Sequence, residues 1–358
     1  MAEFLIDFPT LGDLIDQWVQ QHCKVPDGFA RGKSFELADW QFWCTANHYR
    51  VREDAKWNPD RPLRNQAFTY RRSLIVAPQK TGKGPWTATM AATEAAGPAL
   101  FGGWAKKGDV YECSAHGCSC GWYYEYQKGE PKGMRQPSPL IQLTAFSEDQ
   151  ADNVYRPLRA MVALGPLKDL LLVREGFMRI VGQNDDPELD RIDVVTSSAN
   201  SRVGNPISCA FQDETGLWTT ANKMRRVADA QRRGAAGMGG RTLETTNCWD
   251  PAEESVAQTT YEAAAEDVFK FYRNPDLALR DSNGRPLRYR NKAHRRRIHE
   301  YVYDGSWWVD LDSIEAEAAE LMERDPAQAE RFFGNRIVHG AGAWLKAGLW
   351  DGAYAGAG

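Results

Sequence analysis

The sequence predicts an α/β protein: a mainly parallel β-sheet flanked by helices, followed by a small C-terminal helical lid. Three observations predict it. Short apolar runs at 73–77, 139–145, 191–196, 207–212 and 241–247 alternate with helical patterns, as buried parallel strands and their crossovers do. A Gly-Lys loop lies directly between one such run and a helix. An Asp-Glu pair ends another run. Open α/β sheets bind ligands at the carboxyl ends of their strands, and both motifs lie at such ends.

The elements follow in chain order. Residues 1–34 read as a peripheral lead-in. Residues 35–56 carry apolar side chains at mixed helical spacing, which predicts a helix. SLIVA at 73–77 is short enough for a buried strand, and an Ala-rich helix at 86–97 follows its loop. Residues 98–138 are rich in Gly and Pro and read as an insertion. After the strand at 139–145, Ser147 caps a helix, with Gln150 at the capping-box position. The strands at 191–196, 207–212 and 241–247 complete a core spanning 35–250. Residues 251–340 read as a mainly helical, charged lid, with Ser313 capping a helix through Arg324 and Asp325-Pro326 starting another. The small-residue tail 341–358 reads as a linker. No internal repeat is evident.

Composition sets bounds on function. The chain has 358 residues, 42% hydrophobic and 26% charged, an ordinary globular composition. Its net charge of −4 means that contact with DNA must come from local basic patches. No apolar run approaches the ~18–20 residues needed to span a bilayer. The N-terminal MAEFLIDFPT has acids and no basic region, so no signal peptide and no membrane partner are expected. Seven cysteines, mostly lying singly, suit a reducing cytoplasm.

The chemistry concentrates in two motifs. In Ala77-Pro78-Gln79-Lys80-Thr81-Gly82-Lys83-Gly84, backbone N–H groups and a helix N-terminus can cradle phosphates while Lys83 reaches the β- and γ-phosphates. Two positions depart from the usual pattern: Ala77 replaces its first glycine, and Gly84 replaces its magnesium-touching Ser/Thr. Lys80 adds a second cation, placed to neutralise γ-phosphate charge. In the second motif, Asp213 would orient magnesium or its water, and Glu214 would polarise the attacking water. The missing hydroxyl at Gly84 puts more of the magnesium burden on Asp213.

In order along residues 35–350, five stretches together resemble the large terminase subunit of tailed bacteriophages, within the additional-strand, catalytic-glutamate class of RecA-like P-loop ATPases. They are FELADWQ, APQKTGKG, LTAFSEDQADNVY, AFQDETGLW and ETTNCWDP. The resemblance implies that Gln41 binds adenine with Trp40 or Phe35 nearby, and that Gln79, Lys80, Thr81, Gly82, Lys83 and Gly84 surround the phosphates. It implies that Asp213 serves magnesium and Glu214 activates water. Thr245, Thr246 and Asn247 are coupling candidates, with Thr246 and Asn247 favoured. Arg202, in SANSRVGNP, is the candidate trans-acting arginine finger. The implied activity is ATP hydrolysis coupled to translocation of double-stranded DNA into a procapsid, in the host cytoplasm. The implied partners are a portal protein, a small terminase subunit and further copies of the chain in a ring, the isolated chain being able to remain a monomer. The resemblance also implies a C-terminal nuclease. That domain would need over a hundred further residues, so no nuclease activity is expected of this chain.

Other features carry less. Cys113, Cys118 and Cys120, with His116 between them, are the best metal candidates, but two cysteines one residue apart fit one zinc tetrahedron poorly. That spacing favours a loop with free thiols. Arg288–Arg297, and Arg225, Arg226, Arg232 and Arg233, form two basic patches able to grip phosphates or to stand as solvated faces. The lone histidines His22, His48, His294, His299 and His339 suggest no catalytic group. Two other readings fit the nucleotide motifs. A helicase-type translocase would want a second RecA-like core, which the sequence lacks. A nucleotide-binding scaffold would explain Ala77 and Gly84 as decay of the loop.

Overall fold

The computed structural model describes residues 4–61, 64–182, 186, 188–196 and 205–340. Helices α1 (Gly12–His22) and α2 (Asp39–His48) precede strand β1 (Arg72–Val76) and helix α3 (Lys83–Ala96). The segment 98–138 holds β2 (Leu100–Trp104), β3 (Val110–Glu112), β4 (Tyr123–Glu125) and β5 (Pro131–Met134). Then come β6 (Leu140–Thr144), α4 (Glu148–Leu164), β7 (Leu171–Arg174), β8 (Phe177–Ile180), β9 (Arg191–Val195), β10 (Cys209–Asp213), α5 (Met224–Met238) and β11 (Arg241–Thr246). The C-terminal part holds α6 (Val256–Glu262), β12 (Val268–Tyr272), α7 (Pro275–Ala278), α8 (Lys292–Val302), α9 (Leu311–Arg324) and α10 (Pro326–Phe332).

The main sheet runs β12-β1-β11-β10-β6-β9-β8-β7. Its first six strands are parallel, and β8 and β7 extend it as an antiparallel hairpin. Buried Leu74, Ile75, Phe211 and Leu243 line the central strands, as expected of a sheet covered on both faces. Part of the polar side-chain content of these strands is paired internally, while Gln212 Oε1 and Thr242 Oγ1 lack a partner among the described residues. Gln231 of α5 accepts from Gln212 at 2.8 Å and donates to Gln142 at 2.8 Å and Thr144 at 2.6 Å. The architecture is the predicted one, with β11 inserted between the strand that feeds the glycine loop and the strand that ends in the acids.

Three sequence expectations change, and one hairpin joins the sheet where the sequence offered no reading. Residues 1–34 are not merely peripheral: Leu14, Ile15, Trp18 and Val19 of α1 are buried in the main core. Their i, i+1, i+4, i+5 spacing makes one helical stripe, each side chain contributing roughly 1.5–3 kcal/mol on burial. Residues 251–340 are not a separate helical unit from their start, because β12 pairs with β1 along its whole length. Its five-residue run VFKFY is short, does not alternate strictly and is interrupted by Lys270, so it carries too weak a strand signal among charge-rich surroundings. The β7–β8 hairpin was likewise unforeseen, although Gly176 at φ 72° supplies the turn. Finally, α9 starts at Leu311 rather than after Ser313. Asp310 caps it, accepting from Asp312 N at 3.0 Å and from the Ser313 hydroxyl at 2.6 Å.

Other local readings hold in whole or in part. Ser147 accepts from Gln150 N at 3.3 Å at the start of α4, but Gln150 Oε1 has no partner among the described residues, so only half of the expected capping box forms; Asp325 caps α10. The helix read over 35–56 is shorter, at Asp39–His48. Each basic patch has an arginine committed to a carboxylate within the fold. Arg232 pairs with buried Glu244 at 2.9 Å, and Arg295 with Glu315 at 2.6 Å. Arg226, Arg233, Arg288, Arg290 and Arg297 remain exposed. His116 turns away from the cysteines and stacks on Tyr111, centroids 4.7 Å apart.

One ion pair lies fully inside the core. Arg241 at the start of β11 donates to Glu94 of α3 at 3.0 Å, and both side chains are 1% exposed. Tyr49 donates to the same carboxylate oxygen at 2.8 Å. The guanidinium lies over the Phe68 ring at 4.2 Å and also donates to the His48 carbonyl.

Candidate functional site

The site forms where the ends of β1, β11 and β10 lie side by side. The register sets Val76 opposite Thr246, and Asp213 opposite Thr245. The glycine loop and the acidic pair therefore flank the end of β11 from either side.

The loop after β1 turns sharply into α3. Gly82 adopts φ 86°, and a Cβ there would lie 2.7 Å from the Trp308 indole, so both backbone and space require glycine. Thr81 donates to the Pro78 carbonyl at 2.8 Å, which closes the turn. Lys83 opens α3 and is buried. Its ammonium donates to the carbonyls of Ala77 at 2.8 Å and Pro78 at 2.9 Å, and to Asn247 Oδ1 at 2.8 Å. Lys80 is exposed, at φ 68°.

Asp213 accepts from Thr245 Oγ1 at 2.7 Å and from Asn153 Nδ2 of α4 at 3.4 Å. Glu214 follows in the left-handed region at φ 55°, a strained conformation for a non-glycine residue and one that clusters at working sites. The Glu214 carboxylate accepts from Asn247 Nδ2 at 2.9 Å and from Asn247 N at 3.3 Å. A single side-chain amide thus bridges Lys83 and Glu214. Thr246 has a different task, accepting from Gly216 N at 2.8 Å and donating to the Asn247 carbonyl at 2.8 Å. It fixes the turn after the acids.

Burial dominates the electrostatics. It pushes Glu214 up to about 7, opposed by Lys83 and reinforced by Asp213. It pushes Asp213 up too, opposed by the Thr245 hydrogen bond and by Lys83. It holds Lys83 below the usual lysine range, opposed by both carboxylates. The folded chain therefore binds the Glu214 proton more tightly than the unfolded chain does. Over the window from about 4.5 to about 7, the Glu214 contribution to stability falls as pH rises. Thermal melts across that window should show wild type losing stability relative to Glu214→Gln as pH rises, because the amide has no proton to release. A pH-independent difference would contradict the raised value.

These side chains face a cleft of about 640 Å³, a size that suits a nucleotide. Gln79, Lys80, Gly82, Lys83, Gly84, Asp213 and Glu214 line it, as does Trp308 from the C-terminal part. Gln41 of α2 stands behind the loop. Its Oε1 accepts from Ala38 N at 3.0 Å, and its buried Nε2 lacks a hydrogen-bond partner among the described residues and lies close to Gly82. Trp40 and Phe35 are buried in the core, Trp40 stacked on Phe271, so neither ring is open to stack on a base. Arg202 lies outside the described residues. Sequence reading missed Asn153 and Arg156, which enter the cleft from α4. Their i, i+3 spacing within SEDQADNVYR puts them on one helical face, which the apolar pattern alone does not reveal.

The glycine at 84 has a steric cause. A Cβ there would meet the Asn153 carbonyl at 2.3 Å, because α4 packs directly against the start of α3. Restoring the usual hydroxyl by Gly84→Ser should therefore lower stability by about 1–3 kcal/mol rather than improve a metal site. Urea denaturation checks this, and a variant as stable as wild type would refute it.

No protein-family model matches the chain. The Gene 13 protein of Mycobacterium phage D29 is 22% identical over 309 residues, covering 80% of this chain and 47% of that protein. The crystal structure of the HK97 bacteriophage large terminase superposes with a TM-score of 0.59 at 15% identity, covering 92% of this chain and 55% of that one. The ATPase domain of the Thermus phage P74-26 large terminase matches 75% of this chain at a TM-score of 0.41 and 10% identity, too loosely to bear on the site. The chain spans about half the length of the Gene 13 protein and of the HK97 terminase. It shares the fold of the HK97 large terminase, in keeping with the resemblance carried by its motifs.

Proposed function

We propose, for a chain with the fold and the ordered motifs of a phage large terminase, that it is the ATP-hydrolysing motor of a DNA-packaging enzyme. The observation that carries this reading is the Lys83–Asn247–Glu214 bridge, which joins a phosphate-loop lysine to an acid at the end of a neighbouring strand. In it, the γ-phosphate would displace the Pro78 and Ala77 carbonyls as the acceptor for Lys83, while Lys80 and Arg156 add charge from two walls of the cleft. Asn247 would then lose its hold on Lys83 and report the change to Glu214.

Glu214 is the general base. Its carboxylate takes a proton from the attacking water as the water oxygen bonds to the γ-phosphorus and ADP leaves. Gln41 Nε2, buried beside Gly82, is the donor for the base of the nucleotide. Magnesium, when bound, would neutralise charge on the phosphate oxygens. The hard carboxylate of Asp213 fits it, in a site where phosphates and water complete the shell. Gly84 offers no hydroxyl to share that task.

Movement would be passed on through the C-terminal helices, which touch the loop itself. Gln79 N donates to the Phe332 carbonyl at 2.8 Å, and Tyr303 donates to the Gln79 carbonyl at 2.9 Å. Double-stranded DNA, a portal protein, a small terminase subunit and a ring of copies are the partners this reading implies, with the exposed arginines facing DNA phosphates. A ring would let Arg202 act on a neighbour's nucleotide.

The test is magnesium-dependent ATP binding and hydrolysis over a protein concentration series, with Lys83→Ala beside wild type. Turnover that rises more than proportionally with protein and disappears in the variant is expected. Absence of ATP binding by wild type would overturn the reading. Binding without turnover at every concentration would favour a nucleotide-binding scaffold.

A further inference from the structure

We propose that His22, Cys113, Cys118 and Cys120 hold one zinc ion, which clamps α1 to the loop-rich segment 98–138. Three sulfurs surround one imidazole nitrogen. His22 Nε2 lies 3.3 Å from Cys113 Sγ, 3.5 Å from Cys118 Sγ and 3.4 Å from Cys120 Sγ. All four ligand atoms fall within 4.8 Å of one another. A zinc tetrahedron, with Zn–N near 2.0–2.1 Å and Zn–S near 2.3 Å, sets its nitrogen–sulfur edges at about 3.5 Å. The observed edges match that value.

The histidine is already in the ligating tautomer. Its Nδ1 lies 2.8 Å from the Trp18 carbonyl, which can only accept, so the proton sits on Nδ1 and the Nε2 lone pair faces the sulfurs. The ring is held by stacking on Trp18, centroids 4.4 Å apart, and by the Trp122 edge. Thiols alone do not account for the arrangement. One lone pair accepts one good hydrogen bond, yet three sulfurs stand equally close. The donor set is all sulfur and nitrogen, which selects zinc over hard cations.

The chain spacing that argued against a metal is overcome by two left-handed turns. Gly117 at φ 81° and Gly121 at φ 73° fold the loop so that all three thiols point inward. Cys118 N donates to the Cys113 carbonyl at 3.2 Å, and Cys113 N to the Trp122 carbonyl at 3.1 Å. Trp122 N donates to Cys120 Sγ at 3.4 Å, the kind of contact that supports a thiolate. The fourth ligand comes from 91 residues away in sequence, not from the neighbouring His116.

The clamp has a structural purpose. The hairpin β3–β4 has only three residues in each strand, too few to hold itself. Metal binding would supply its folding energy.

The test is metal content. The full chain, purified with reducing agent and without chelator from zinc-supplemented cells, should carry about one zinc per chain. Titrating its thiols with an organomercurial should release that zinc, and cobalt substitution should give thiolate–cobalt charge-transfer and tetrahedral bands. His22→Gln and Cys118→Ser should retain at least about tenfold less zinc after dialysis against a mild chelator. Folded wild-type protein without zinc would overturn the proposal. So would zinc whose cobalt substitute shows no thiolate bands, or a disulfide among the three cysteines. The wild-type measurements decide the matter even if the variants fail to fold.

Discussion

Glu214→Gln should lower ATP turnover by about 10²- to 10⁴-fold while leaving ATP binding within a few-fold of wild type. The amide keeps the shape of the side chain and one oxygen that can accept from Asn247, so the bridge to Lys83 survives. What it loses is the ability to take a proton from water. Measuring kcat and nucleotide affinity side by side separates this from a folding defect. Equal turnover in both proteins would remove Glu214 from the role of base. Because burial sets its value near 7, wild-type turnover should also rise with pH through the neutral range, and that rise should vanish in the variant.

Glu94→Ala should be the most destabilising single change, costing about 3–5 kcal/mol in urea denaturation. It strands the Arg241 guanidinium in the core and leaves the Tyr49 hydroxyl without its acceptor. Burial pushes the Glu94 carboxyl up, opposed by the Arg241 charge and by the Tyr49 hydrogen bond, so removing either partner leaves that burial less compensated. Replacing both residues with apolar ones of similar volume, as in Glu94→Leu with Arg241→Met, should cost less than the sum of the two single changes. Strict additivity would mean that the pair does not act as a unit. Since Glu94 lies on α3 and Arg241 on β11, the pair ties the helix that carries Lys83 to the strand that leads into Asn247.

The sequence by itself determined the parallel α/β architecture, the strands that end in the loop and in the acids, and the identity of the glycine-lysine loop. These are local facts. Apolar runs of five residues, a Gly-Lys pair before a helix and an Asp-Glu pair after a strand need no distant partner to be read. Gly82 was legible for the same reason, since its turn demands a positive φ.

The tertiary structure decided what depends on which chain segments meet. That Asn247 bridges Lys83 and Glu214 follows from β11 lying between β1 and β10, an order no local pattern encodes. Thr245 was the least favoured of the coupling candidates, yet register brings it to Asp213. Gly84 looked like a lost ligand, and only the approach of Asn153 from α4 gives it a steric cause. The cysteines seemed mismatched until α1 delivered His22 to them across 91 residues. Sequence periodicity reports which face of an element is apolar. Packing alone chooses which element covers that face, and each surprise here came from that choice.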